Sequence, residues 1–125
     1  MAQASTPAEL ATRYVQAWNE SDAARRRALL VEVFSPDARY VDPLADVAGQ
    51  DGLDALIAGM QAKFAGARFS ARGTPEAHHD RVRFSWTLGV EGRKFAEGTD
   101  VATVAADGRL RTVTGFLDYV DPGLQ

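Results

Sequence analysis

The chain has 125 residues, 46% hydrophobic and 25% charged, which suits one water-soluble domain; no apolar run approaches the roughly 20 residues that a bilayer span needs. Its 14 basic and 17 acidic residues leave a net charge of -3, so bulk electrostatics favour neither nucleic acid nor an anionic membrane. The absence of cysteine excludes disulfides, thiol nucleophiles and thiolate metal sites, leaving oxygen and imidazole to carry any chemistry.

A single domain over 1–125 is the expectation. MAQASTPAEL has neither a basic start nor an apolar core, so it does not read as a secretory signal, and the cytoplasm is the expected address. A helix begins where Thr6 can cap, Pro7 fits the first helical position and Glu9 completes a capping box. Leu10, Tyr14 and Trp18 then recur every four residues, so this stripe faces inward and puts the Tyr14 hydroxyl either in a core or at the edge of a cavity.

Ser21 or Asp22 offers a second cap, and a short helix carrying Leu29, Leu30, Val33 and Phe34 runs to Ser35-Pro36. The run Arg25-Arg26-Arg27 on it reads as a solvated face. Asp37 to Val41 reads as a short strand stopped by Asp42-Pro43, and a third helix is expected from about Asp51 to Phe64, with Gly66 as its exit.

The period then changes to two. Ala67, Phe69 and Ala71 alternate with polar residues, as do Val82, Phe84, Trp86 and Leu88. Turn signals at Glu91-Gly92 and Asp107-Gly108 divide three long strands, roughly His78 to Val90, Lys94 to Ala105 and Arg109 to Val120, into an antiparallel meander. Helices followed by strands imply an α+β fold, three helices on one face of an antiparallel sheet.

Parity places Asp100 with Ala102 and Val104, against the apolar face of Phe84, Trp86 and Leu88, where a carboxyl is disfavoured unless something needs it. Ion pairing with Arg83 or Arg111 is the competing reading. Asp42 precedes proline, where aspartate also fixes turns. Of His78 and His79, adjacent on a strand, at most one points inward; His78 shares the parity of Phe84, and no further histidine exists to build a metal site.

Order and residues together resemble the cone-shaped fold of nuclear transport factor 2 (NTF2), SnoaL-like polyketide cyclases, scytalone dehydratase and ketosteroid isomerase. The resemblance runs from about Leu10 to Tyr119 and is carried by RYVQAWNESD, FSPDARYVDP, GRKFAEGTDVATV and ADGRLRTVTGFLD; AHHDRVRFSWTLG is similar to bacterial SnoaL-like proteins. It implies a small-molecule pocket, homodimers packed through the outer sheet face (Thr112, Thr114 and Phe116), and no metal or cofactor.

The ketosteroid isomerase pattern, carried over residue by residue, falls on Tyr14, Asp42 and Asp100. It implies Asp42 as the base, with Tyr14 and a protonated Asp100 as donors to an enolate oxygen. Trp18, Trp86, Phe84 and His78 are the expected substrate contacts. Ile57 stands where that pattern has a supporting tyrosine, which speaks against steroid isomerisation. Three functions follow as alternatives: acid-base isomerase, cyclase or dehydratase on an apolar carbonyl compound; non-catalytic binding of a hydrophobic ligand, or dimerisation; and epoxide hydrolysis, for which no Asp-Arg-Asp arrangement is evident around Asp100.

Overall fold

The computed structural model describes residues 6–124. Helices α1 (Pro7–Asn19), α2 (Ala23–Val33) and α3 (Gly49–Lys63) pack on a curved sheet of six strands: β1 (Phe34–Val41), β2 (Asp46–Ala48), β3 (Arg68–His78), β4 (Arg81–Val90), β5 (Arg93–Val104) and β6 (Leu110–Val120). The spatial order is β2-β1-β6-β5-β4-β3, and the fold is the expected α+β class. The sheet is antiparallel except at one seam, where β1 runs parallel to β6. The β3–β6 meander is antiparallel throughout. None of the helices among the described residues is long and apolar enough to cross a membrane.

The helices begin as their sequences dictate. Thr6 accepts the Glu9 N–H at 3.1 Å with Pro7 in the first turn, and Asp22 accepts the Arg25 N–H at 2.9 Å. Leu30, Leu53 and Ile57 are fully buried between helices and sheet, each contributing on the order of 2 kcal/mol. Register shifts at Leu88/Gly89, Glu97/Gly98 and Thr103/Val104 mark bulges, which bend β4, β5 and β6 around the helices.

Four local expectations are corrected. The strand expected from His78 begins instead at Arg81, as β4: His78 is the last residue of β3, and a tight turn through His79 and Asp80 separates the two, with His79 in the left-handed region at φ 52°. The three-residue β2 pairs with β1 although its sequence carries too few residues to show alternation. Helix α3 starts two residues early, at Gly49, whose φ of +74° suits glycine.

The fourth concerns the arginine run. Arg26 is 5% exposed, donating to Asp54 at 2.7 Å, to the Glu20 carbonyl at 3.1 Å and to Gln61 at 3.3 Å. Gln61 in turn donates to the carbonyls of Trp18 and Glu20. A buried cation must be paired and hydrogen-bonded, and this one ties α2 and α3 to the exit of α1. On the other side Asn19 mimics a strand: it donates to the Phe69 carbonyl at 2.8 Å and accepts the Phe69 N–H at 2.7 Å. These two clamps fix α1, and with it Tyr14 and Trp18, against the sheet.

Candidate active site

Between α1, α3 and the concave sheet face lies a mainly apolar cavity of about 160 Å³, with Tyr14, Trp18, Tyr40, Asp42, Trp86 and Asp100 in its wall. Three of its polar groups meet at one glycine. A Cβ at Gly115 would stand 2.9 Å from Asp100 Oδ1, 3.2 Å from Asp42 Cβ and 3.6 Å from the Tyr40 hydroxyl. Gly115 pairs with Asp100 across β5 and β6, while its neighbour Thr114 pairs with Val41 on β1. The parallel seam therefore brings the two aspartates together, and only glycine leaves them room.

Asp100 is 1% exposed. Its Oδ2 accepts the Tyr14 hydroxyl at 2.6 Å and its Oδ1 accepts the Trp86 indole N–H at 3.2 Å. Trp86 reaches it across Gly98, where a Cβ would come within 2.2 Å of the ring. Burial pushes the Asp100 carboxyl up from 3.8 to about 6; the bonds from Tyr14 and Trp86 pull it back in part, and Asp42 adds repulsion. Among the described residues no arginine pairs with it: Arg83 bonds Glu76 instead.

Burial and the neighbouring Asp100 charge raise the Tyr14 hydroxyl well above its ordinary value, so it stays protonated as a donor. The Trp18 indole N–H, buried without an acceptor at hydrogen-bonding distance among the described residues, lies close enough to Tyr14 to oppose part of that rise. Tyr40 is raised likewise, by burial first and by Asp100 second.

Asp42 serves both as turn former and as cavity residue. Its Oδ1 accepts the N–H groups of Leu44 and Ala45, both at 2.8 Å, and its Oδ2 accepts the Tyr40 hydroxyl at 2.6 Å. Asp42 thus accepts three hydrogen bonds, two of them from the backbone of its own turn, against two side-chain donors on Asp100, the carboxyl whose acidity burial shifts.

Trp18 and Trp86 line the cavity. Phe84 does not: it is core, meeting the Tyr14 ring edge-on at 4.8 Å and backing it from the sheet. His78 is exposed at the β3–β4 hairpin against His79, away from the cavity wall, because the turn at His79 ends the strand on which its inward parity was reckoned. Ile57 is fully buried, and the tyrosine hydroxyl beside the aspartates comes from Tyr40 on β1. Sequence reasoning missed Tyr40, Gly98 and Gly115. Their signals were the two-residue spacing of Tyr40 to Asp42 and glycines inside strands.

The sequence profile of the SnoaL-like domain matches residues 11–113. The chain belongs to the SnoaL-like family. Its structure is similar to a family member from Agrobacterium tumefaciens provisionally designated an isomerase, with 44% identity, a TM-score of 0.84, and coverage of 88% of this chain and 95% of that one. An NTF2-like protein of unknown function from Exiguobacterium (20% identity, 87% and 98% covered, TM-score 0.70) shares the fold. So does a protein from Jannaschia provisionally designated a SnoaL-like polyketide cyclase (18% identity, 94% and 92% covered, TM-score 0.67). No curated protein matches the sequence.

Because its carboxyl binds a proton more tightly folded than unfolded, Asp100 costs this SnoaL-like protein stability as pH rises from about 4 to about 6, and the cost persists above. The shift corresponds to about 3 kcal/mol. Asp100→Asn removes the titration, so its stability relative to the native chain should climb across that window in urea melts and then level off. A flat or falling difference would contradict the raised pKa.

Proposed function

We propose that this SnoaL-like protein is a cofactor-independent acid-base enzyme, an isomerase, cyclase or dehydratase, acting on a small apolar carbonyl compound. The observation that carries the reading is the buried Asp100 carboxyl in an apolar cavity, with Tyr14 donating to it at 2.6 Å. A carboxyl near 6 is a stronger base than an ordinary aspartate and is mostly ionised at neutral pH.

In this reading Asp100 takes a proton from the carbon beside the substrate carbonyl. Once neutral, it no longer holds the Tyr14 hydrogen as a charge-assisted bond, and that hydroxyl turns to the developing enolate oxygen. Asp100 then returns its proton at a second carbon, or to a leaving group. Asp42 and Tyr40 hold the cavity wall beside it. Relative to the ketosteroid isomerase pattern, the role of base passes from Asp42 to Asp100, and Tyr14 alone remains as donor to the enolate oxygen.

A cavity of about 160 Å³ is close to the roughly 150 Å³ that accommodates one benzene, so the reacting part of the substrate is about one ring. Cyclohex-3-en-1-one, whose isomerisation to the conjugated enone is followed by ultraviolet absorbance, is a suitable probe. Asp100→Asn should slow it by about a hundredfold or more. With Asp100 as base, kcat/KM rises with pH through about 6; a profile that falls there returns Asp100 to the donor role. Probe bound but neither isomerised nor deuterated in D₂O would favour the non-catalytic binder.

Homodimerisation belongs to the same reading. Thr112, Thr114 and Phe116 share the outward face of β6, with Phe116 57% exposed. A monomeric mass by light scattering at micromolar concentration would remove this part.

A further inference from the structure

Among the residues lining the cavity, three carry charged side chains: Asp42, Asp100 and Lys63. The two acids share the Gly115 end. Lys63 is in the last turn of α3, exposed, with its ammonium 5.4 Å over the Phe64 ring. No carboxylate among the described residues forms an ion pair with it, whereas the nearby strand cations Arg93 and Lys94 are paired to Asp121 and Glu97.

The cation and the acids stand at different ends of the cavity. Phe64 packs on Phe95, ring centres 6.0 Å apart, and Phe95 lies five residues before Asp100 on β5, in the bulge between Lys94 and Ala96. Between the two ends the wall is apolar and aromatic: Trp18, Phe69 and Trp86 make successive edge-to-face contacts at 5.3 Å.

We propose that the substrate is an anionic carbonyl compound, an apolar body of about one ring with a carboxylate, bound with its carbonyl toward Asp100 and its carboxylate toward Lys63. The inference rests on the reading of this cavity as a proton-transfer site and adds the charge and orientation of what it takes. The acids repel a carboxylate from the deep end, while the lysine attracts it at the other, so one binding direction is favoured. The aliphatic stem of Lys63 extends the apolar wall and leaves the ammonium in water to meet the charge. The helix C-terminus, which also favours a cation, accounts for a lysine on the last turn but not for its place in the cavity wall.

Two probes with the same ketone body separate the outcomes: 4-acetylbenzoate, which is anionic, and 4-methylacetophenone, which is neutral. Both tryptophans of the chain line the cavity, so quenching of intrinsic fluorescence reports binding of either. The native protein should bind 4-acetylbenzoate about three- to fivefold more tightly at low salt, as an exposed charge pair allows, with the preference shrinking as salt is raised. Lys63→Gln should bring the two affinities together. Equal affinities in the native protein, or a preference that survives Lys63→Gln, overturn the anionic-substrate inference while leaving the carbonyl site standing. Failure of both ketones to bind overturns the carbonyl reading and this inference with it.

Discussion

The site depends on one buried hydrogen bond between a helix and the sheet. The Tyr14 hydroxyl on α1 meets the Asp100 carboxyl on β5 across 86 residues of chain, at 2.6 Å and out of contact with water. A carboxyl is expensive to bury, and what offsets the expense here is two donors, Tyr14 and Trp86, without a counter-charge. An arginine in place of either would hold Asp100 as an ordinary ionised aspartate. Two neutral donors instead leave it poised near neutrality, with burial winning over the hydrogen bonds.

Much of the surrounding structure serves that contact. The Arg26 network and the Asn19 clamp fix the exit of α1, one turn beyond Tyr14, so that the hydroxyl arrives in place. Phe84 backs the Tyr14 ring. Gly98 leaves room for the Trp86 ring, and Gly115 leaves space where β1, β5 and β6 converge. Each of these features gives up some local stability: glycine weakens a strand, and a buried guanidinium must be fully bonded. Such concessions concentrate where a fold carries a site.

How much of this was legible in the sequence depended on how local its signal was. The stripe of Leu10, Tyr14 and Trp18 and the parity of Asp100 are short-range periodicities, and both place their residues on the inner side. The capping residues and the turn at Gly92 are local chemistry and appear as read. The parallel seam between β1 and β6 joins segments some seventy residues apart and leaves no local mark; with it went the meeting of Asp42, Asp100 and Tyr40 at Gly115. His79 turns a hairpin without glycine or proline, so the sequence leaves open whether His78 faces inward, and the turn places it outside. Arg26 looked like its two neighbours in a run of three, and only its helical position separates a buried arginine from exposed ones.

The family relationship gives the scaffold, and the 44% identical Agrobacterium protein carries a provisional isomerase designation of its own. For this chain the account turns on the acidity of one side chain. Carboxyl-carbon NMR of Asp100, followed against pH, tests it most directly: the midpoint should fall near 6 and move higher in Tyr14→Phe, because the tyrosine's hydrogen bond stabilises the ionised form. A midpoint near the ordinary 3.8, unmoved by that substitution, would contradict the account.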